Sequence, residues 1–454
     1  MDIRKENKMG TLPVKKLVIT MSLPMMISML VQALYNVVDS IFVARIDENA
    51  LTAVTLAFPM QNLMIAVGSG TGVGINALLS RSLGEKRFDR SDAAANMGVL
   101  LTIFSYIVFL LVGLFFAGPF IRTQTGDPEI VAYGTTYLTM VTCLSLGIFC
   151  QMTFERLLQS TGRTFYSMIS QATGAIINLI FDPIMIFGLF GVPRMGVAGA
   201  AAATVLGQIV AGILGIFMNI RYNSDIKLSF KRIFSVDLSA IKEIYMVGIP
   251  SILMISIGSV MTYLMNRILI VFSTTATAVF GAYFKLQSFF FLPVFGLNNG
   301  VIPVLAYNYG AKNRDRIRET LRFSISLAVS VMLVGTFVFE VFPGKLLSFF
   351  NASPEMLEIG VPALRIMGII FPVAGACIAM GSVFQAFSES IYSLIVSVGR
   401  QLVLLIPAAY LLSRIGNVDY VWWAFPIAEI GSLILSLIFF RKLMKKVSKE
   451  LENG

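Results

Sequence analysis

Long apolar stretches, separated by short polar segments, recur along the whole chain. An α-helix needs about 20 apolar residues to cross roughly 30 Å of hydrocarbon. The pattern therefore predicts twelve membrane-spanning helices, at residues 17–44, 51–79, 93–120, 130–154, 165–190, 197–220, 244–272, 275–308, 323–341, 359–387, 392–412 and 421–440. We expect no cleavable signal peptide, because the first stretch is too long for one.

Composition and charge support an all-α polytopic membrane protein. Of the 454 residues, 56% are hydrophobic and 13% are charged, whereas a soluble domain carries about 25% charged residues. Lysine and arginine are concentrated in alternate loops, and the loops on the opposite side hold only Arg45, Arg122, Arg194, Lys345 and Arg414. This bias predicts that both termini are cytoplasmic. It also accounts for most of the net charge of +10 without a nucleic-acid partner.

The second half of the chain resembles the first at a constant shift of 226 residues. Uncommon residue types coincide at this shift, namely Pro24 with Pro250, Gln61 with Gln287, Gly70 with Gly296, Gly74 with Gly300, Gly84 with Gly310 and Gln159 with Gln385. We predict an N-lobe of six helices at 1–220, a cytoplasmic linker at 221–243, and a C-lobe with a basic tail at 244–454. Parallel repeats of this kind are typical of transporters that alternate access around a central cavity.

The predicted fifth helix carries the most informative segment, IINLIFDPIMIF at 176–187. Asn178 and Asp182 are four residues apart and therefore share one helix face. Pro183 has no N–H for the carbonyl of Leu179, which leaves a third oxygen free near the carboxylate. An ionisable residue at membrane depth indicates a functional site by default.

Three more polar residues are expected at the same depth. Asp39 and Asn36 lie in the first helix and Thr204 lies in the sixth. Two carboxylates in a low-dielectric site cannot both be ionised without a cation, so Asp39 and Asp182 are predicted to take up a proton or to hold sodium. Alternatively, Asn178 links helices by hydrogen bonding, Asp39 is an interfacial residue, and Thr204 bonds to its own helix.

The C-lobe carries different intramembrane charges. Lys285, Arg400 and Glu429 each lie within a few residues of mid-membrane, where contact with lipid is costly. We predict a buried charge cluster in which Glu429 neutralises Lys285 or Arg400. Such a cluster suits a structural lock between helices as well as a role in coupling or in substrate binding.

A candidate substrate surface is apolar and adaptable. It comprises Met25, Met29, Met60, Met64 and Phe289, with Gln287 beside them. Packing against other helices, or against lipid, is the alternative role for these side chains.

The remaining chemistry is limited. The chain has no histidine, and its three cysteines all lie inside predicted helices. A disulfide framework and a histidine metal site are therefore excluded. No serine motif with a credible base is present, so we expect neither an enzyme nor a cofactor beyond a coupling ion.

Five segments, in order along the chain, resemble the MATE (multidrug and toxic compound extrusion) family and in particular its bacterial MepA-like branch. They are LPMMISMLVQALYNVVDSIFVAR, LLSRSLGEKR, NLIFDPIMIFG, GVAGAAAATV and FLPVFGLNNGVIPVLAYNYGAKN. The resemblance implies an efflux antiporter of the bacterial inner membrane, a monomer with two six-helix lobes around a V-shaped cavity. Such proteins expel cationic and aromatic drug-like compounds in exchange for protons or sodium ions.

The resemblance also implies roles for single residues. The family's coupling-ion site matches Asp39, Asn178, Asp182 and Thr204, and Tyr137 matches a tyrosine implicated beside it. If the ion is sodium, Asp39, Asn178 and Asp182 would bind it. The NorM-type branch has acids in the seventh and tenth helices that this chain lacks, which places the ion site in the N-lobe.

The alternative function is that of a lipid or lipid-linked oligosaccharide flippase of the same superfamily. A flippase would line its cavity with cations that bind phosphate, and Lys285 and Arg400 keep that alternative open.

Overall fold

Helices make up nearly all of the part of the chain that the structure describes. This computed structural model describes residues 6–350 and 352–452. Its helices are Lys8–Thr11, Val14–Ala44, Glu48–Gly84, Phe88–Arg122, Pro128–Cys143, Leu146–Ser160, Thr164–Phe187, Val197–Tyr222, Phe230–Ile233, Leu238–Leu269, Thr274–Gly310, Arg314–Val341, Pro343–Ser348, Pro354–Gly368, Phe371–Ala386, Ser390–Val398, the π-helical Gly399–Leu405, Ile406–Ser413, Val418–Trp422 and Ala424–Glu452.

These helices supply the predicted twelve spans. Ten spans meet the length and hydropathy of a membrane crossing, and two more are pairs of helices joined at a bend. The bent spans are the fourth, Pro128–Cys143 with Leu146–Ser160 at 45°, and the tenth, Pro354–Gly368 with Phe371–Ala386 at 47°. The all-helical polytopic fold predicted from hydropathy is confirmed, and we number the spans first to twelfth in chain order.

The two bends correct the expectation of continuous helices at 130–154 and 359–387. They occur at equivalent positions, because Ser145 and Phe371 are separated by the 226-residue shift. In the tenth span, Pro372 follows the break and cannot donate a helical hydrogen bond to the preceding helix. Apolar length alone does not report such a break, since both halves remain hydrophobic.

Several helices continue beyond the predicted apolar segments. The ninth span begins at Arg314, nine residues before position 323, and the twelfth ends at Glu452 rather than 440. Asn313 caps the ninth span by accepting a hydrogen bond from the backbone N–H of Arg316 at 3.2 Å. Hydropathy detects only the part of a helix that lies in hydrocarbon. Polar turns at the helix ends are therefore left out of the predicted bounds.

The two lobes meet through close backbone contacts at glycines. The first span packs on the eighth, and the second packs on the seventh. A Cβ atom on Gly74 would lie 2.0 Å from the carbonyl oxygen of Ile244, and one on Gly300 would lie 2.6 Å from Cα of Ser22. Only glycine permits these approaches. Because Gly74 and Gly300 coincide at the 226-residue shift, the two interfaces are equivalent halves of one pseudo-symmetric contact.

The closest contact lies at the ends of the second and eighth spans. A Cβ atom on Gly84 would lie 1.9 Å from the carbonyl oxygen of Tyr307, and one on Gly310 would lie 2.2 Å from that of Arg81. Tyr309, in the same turn, bonds to Glu450 near the C-terminus. We call this side of the bundle, which holds both chain ends, the terminal face.

Polar contacts reinforce the closure of the terminal face. The N-terminal segment bridges the lobes, because Asn7 donates to the Thr161 carbonyl at 3.0 Å while Arg316 donates to the carbonyls of Met9 and Leu12 at 2.9 and 2.8 Å. The lobes are therefore closed together on this side.

We predict that Gly84→Val separates the lobes at the terminal face. The added side chain overlaps the Tyr307 backbone, and overpacking of this kind costs about 1–3 kcal/mol while the lobes stay closed. Electron paramagnetic resonance should then give a longer distance between spin labels at the exposed positions Lys86 and Lys312 than in the protein that keeps Gly84. Gly126→Val is the matched control, because a Cβ atom there meets no atom within 4 Å. An unchanged distance in folded Gly84→Val would show that this contact does not hold the lobes together.

Candidate functional site

The buried face of the fifth span is polar over most of its length. It presents Thr164, Ser167, Ser170, Gly174, Asn178 and Asp182, spaced three or four residues apart. This face packs against the sixth and first spans. Asp182 is 0% exposed and Asn178 is 2% exposed, so the helix directs its polar side chains into the N-lobe and not toward lipid.

Asn178 connects Asp182 to the sixth span. With its amide oriented by the surrounding hydrogen bonds, the Asn178 nitrogen donates to Asp182 Oδ2 at 2.8 Å. Its oxygen accepts from the Thr204 hydroxyl at 3.1 Å and from the Thr204 backbone N–H at 3.0 Å. The spans approach closely here, because a Cβ atom on Gly207 would lie 2.5 Å from the Gly174 carbonyl oxygen. Small residues thus bring Thr204 within reach of Asn178.

Asp39 of the first span completes an acid pair with Asp182. The two carboxyl groups are close enough to interact directly, and neither interacts with a lysine or arginine among the described residues. The Oδ1 atoms of both are buried without a hydrogen-bond partner. Ionising both carboxyls in this environment is unfavourable, so the pair suits a shared proton or a bound cation.

Two tyrosines flank the acid pair. Tyr35 lies one turn before Asp39, and its hydroxyl is within hydrogen-bonding reach of Thr204. Tyr137 is 3% exposed, and its hydroxyl lies 3.5 Å from Gln61 Oε1, on the side facing both carboxyls. Tyr35 and Gln61 were not among the predicted residues. The four-residue spacing of Tyr35 and Asp39 is the sequence signal that places both on one face.

Asn36 is not brought into the acid pair's surroundings. Its side chain is exposed, and Tyr35 is the residue of that turn that contacts Thr204. The structure thus assembles Asp39, Tyr137, Asn178, Asp182 and Thr204, and it leaves Asn36 outside.

The C-lobe charges form a pair and not a cluster of three. Arg400 Nη1 lies 2.7 Å from Glu429 Oε1, and Glu429 is 9% exposed. Lys285 is exposed and forms no ion pair within residues 6–350 and 352–452. Arg400 belongs to the π-helical segment Gly399–Leu405, a local widening that often accompanies functional or strained positions.

The candidate substrate residues are dispersed. Met25 and Met64 are 1% and 0% exposed, so neither lines an open cavity in this conformation. Met29, Met60 and Gln287 are half-buried. Phe289 is exposed and lines an apolar pocket with Leu286, Phe290, Leu346, Phe349 and Phe350.

The fold and the site define a class: a polytopic membrane transporter with two six-span lobes and a pair of neighbouring acids inside one lobe. The chain belongs to the MATE family, since the MatE family model matches residues 24–184 and 250–411, one match in each lobe. The family predicted from the sequence segments is therefore confirmed.

Relatives match over nearly their whole length. Multidrug export protein MepA of Staphylococcus haemolyticus is 25% identical over 428 residues, which are 94% of this chain and 93% of that protein. MepA of Staphylococcus aureus strain MRSA252 is 26% identical, with 92% and 91% covered. A structure described as the outward-facing conformation of a multidrug resistance MATE family transporter has a TM-score of 0.93 at 23% identity, covering 99% of this chain and 100% of that one.

We predict that the acid pair makes stability depend on pH. Unfolded aspartates ionise above roughly pH 4, so if the folded pair shares a proton, unfolding releases it. Stability should then fall as pH rises, by up to about 1.4 kcal/mol per pH unit, until the folded pair also loses its proton. Thermal unfolding in detergent without sodium, followed by tryptophan fluorescence, measures the slope. Asp182→Asn should reduce the slope and the exposed-residue control Glu355→Gln should not; equal slopes in all three would refute the shared proton.

We predict that Glu429→Gln is strongly destabilising. It leaves the Arg400 guanidinium without its counter-ion, and breaking a buried pair costs about 3–5 kcal/mol. The double variant Arg400→Met with Glu429→Gln removes both charges and should recover much of that loss. Lys285→Met is the control, with little expected effect. Thermal unfolding of the purified variants measures these differences in stability. If Glu429→Gln is as stable as the double variant, the ion pair does not contribute to stability as predicted.

Proposed function

We propose that the protein is a secondary active antiporter that exports cationic or aromatic drug-like compounds in exchange for protons or sodium ions. The observation that carries this proposal is the acid pair of buried Asp182 and half-buried Asp39, which has no basic partner among the described residues. We place the terminal face at the cytoplasm of a bacterial inner membrane, because lysine and arginine concentrate in the loops on that side. One chain contains both lobes, so a monomer suffices.

The geometry of the pair favours a proton over sodium. Two facing carboxyls share one proton without rearrangement. A sodium site would draw on Asp39, Asn178 and Asp182, yet the Asn178 oxygen accepts two hydrogen bonds from Thr204 and its nitrogen faces Asp182. Sodium binding to that oxygen would therefore require this amide to turn over and to lose the hydrogen bond from the Thr204 backbone N–H, although its nitrogen would then donate to the Thr204 hydroxyl at 3.1 Å.

Exchange follows from competition for the N-lobe. When the pair is deprotonated, its negative charge favours a cationic compound nearby; when it is protonated, that attraction is lost. Linkage requires that drug weaken ion binding by the same factor as the ion weakens drug binding. Inward flow of the ion then drives outward release of the compound.

The first span can carry the signal from the acid pair to the lobe interface. It contains Asp39 and also Met25, whose backbone oxygen would lie 2.7 Å from a Cβ atom on Gly296 of the C-lobe. Pro24, inside the same helix, removes one backbone hydrogen bond and permits bending there. Protonation of Asp39 that changes the contacts of this helix therefore changes the lobe interface as well.

A flippase is the second candidate, and the exposed Lys285 favours it. A lysine without an ion pair among the described residues suits the phosphate of a lipid headgroup. This function predicts that Lys285→Met abolishes transport while Asp182→Asn does not.

The deciding experiment is efflux of a fluorescent cationic dye from proteoliposomes under separately imposed proton and sodium gradients. Wild type should show gradient-driven efflux, and Asp182→Asn should reduce it at least tenfold because the acid pair is lost. Lys285→Met is the matched control and should retain efflux. The effective gradient identifies the ion. Efflux that ignores both gradients in folded wild type would overturn the antiporter proposal.

A further inference from the structure

A second buried acid lies in the N-lobe, away from the acid pair. Glu155 and Arg156 are adjacent in the second helix of the fourth span, Leu146–Ser160, and they are 7% and 8% exposed. Successive side chains on a helix point about 100° apart, and these two do not form an ion pair. Each must therefore be satisfied by other groups.

Arg156 is directed to the lobe interface. Its Nη1 donates to Gln159 Oε1 and to Asn299 Oδ1 of the eighth span, both at 3.0 Å, and its Nη2 lies 3.4 Å from Ser69 Oγ. All three partners are neutral. The guanidinium is thus engaged away from Glu155 and neutralises it only at a distance.

Glu155 is held by neutral groups inside the lobe. Its Oε1 accepts from Gln151 Nε2 at 3.0 Å. The nearby Ser170 hydroxyl donates to the Ala211 carbonyl at 2.8 Å, so toward Glu155 it can act only as an acceptor, which suits a protonated carboxyl. A buried carboxylate with only neutral partners is costly to ionise. Glu155 is therefore suited to hold a proton.

The helices around Glu155 present no further charge to it. Arg156 is the charged side chain that acts on Glu155 among the described residues. The polar side chains of this region are Thr102 on the third span, Thr153 on the fourth, Ser167 and Ser170 on the fifth, Asn219 on the sixth, and Asn76 and Ser80 on the second. Protonation of Glu155 thus depends on burial and on one distant guanidinium.

Glu155 lies beside the polar face of the fifth span. Ser170 is twelve residues from Asp182 on the same face, which is about 18 Å along the helix. Ser167 and Thr164 continue that face to the terminal face. Gly174 lies between the two acids, where its carbonyl touches Gly207, so the polar face is closed at that point in this conformation.

We propose that Glu155 is a second proton-binding site of the N-lobe, from which the coupling proton leaves for the cytoplasm. The inference rests on the proposed function with a proton as the coupling ion. When the fifth and sixth spans part at Gly174 and Gly207, the protonated Glu155 carboxyl gives its proton to cytoplasmic water. The carboxylate that remains then takes up, through water, the proton that the acid pair releases, and Glu155 returns to its protonated starting state.

Glu155→Gln separates this role from a structural one. The glutamine keeps the size of the side chain and the oxygen that accepts from Gln151, but it cannot exchange a proton. A residue needed only for packing or hydrogen bonding would tolerate it. Glu155→Asp retains an acid on a shorter side chain and tests for recovery.

Two readouts locate the defect. Drug-induced proton release in detergent reports on the acid pair, and dye efflux driven by a proton gradient in proteoliposomes reports on the whole cycle. In detergent both faces of the protein contact the same solution, so the acid pair can lose its proton by the other face, and we expect Glu155→Gln to retain proton release. In proteoliposomes the same variant should lose at least tenfold in efflux rate, with partial recovery in Glu155→Asp. Wild-type efflux in Glu155→Gln, or loss of both readouts in folded protein, would overturn the proposal.

Asp182→Asn distinguishes the two proposals. If this variant retains both proton release and gradient-driven efflux, the proposed antiport mechanism fails, and this inference fails with it. If it loses both while Glu155→Gln behaves as wild type, only the second proton site is wrong.

A measurement on wild type covers the case in which Glu155→Gln does not fold. Dicyclohexylcarbodiimide adds to protonated carboxyls in apolar surroundings and leaves a stable N-acylurea. Mass spectrometry of the labelled protein should find Glu155 modified at neutral pH and less so as pH rises. Absence of this modification would overturn the proposal.

Discussion

Close backbone contact between helices is the constraint on which both the lobe interface and the acid site depend. Apolar side chains are as well solvated by lipid as by other helices, so the hydrophobic effect does not drive helix association in a membrane. Helices associate instead where small residues allow dense packing. Gly74 and Gly300 provide that contact between the lobes, and Gly174 and Gly207 provide it inside the N-lobe. The latter contact also sets the distance at which Thr204 bonds to Asn178, and through it Asp182.

Hydropathy and the 226-residue repeat predicted the twelve spans, and the spacing of Asn178 and Asp182 predicted that they share a face. The sequence did not predict how each helix is rotated about its axis, and this rotation decides which side chains meet. The sequence places Lys285 and Arg400 at similar depths in the membrane. The orientation of their helices in the structure shows that Arg400 is the residue that contacts Glu429. Glu155 and Arg156 lie near the end of a predicted span, where hydropathy does not distinguish a buried pair from an interfacial one. Bends at Ser145 and Phe371 change these orientations further.

The lobes share a backbone plan but differ in how their buried charge is neutralised. At the 226-residue shift, Arg400 corresponds to Gly174, and Asp182 corresponds to Ala408. The C-lobe pair supplies its own counter-ion, although Glu429 Oε2 is buried without a hydrogen-bond partner. Among the described residues the N-lobe acids have no basic partner. In the proposed mechanism the N-lobe is therefore the half that responds to the ion, and it moves against the C-lobe.

In the proposed mechanism this asymmetry makes the first span the important mechanical element. The span contains Asp39 of the N-lobe, yet its contact at Met25 is with Gly296 of the C-lobe. A rearrangement around Asp39 must either bend the helix or move the Met25 contact, because the two backbones are already in close contact at Gly296. Pro24 lies next to the contact, where the helix has lost a hydrogen bond and bends most easily. In the proposed mechanism the first span would bend at the lobe interface, so that a change of charge at Asp39 changes which face of the protein is open.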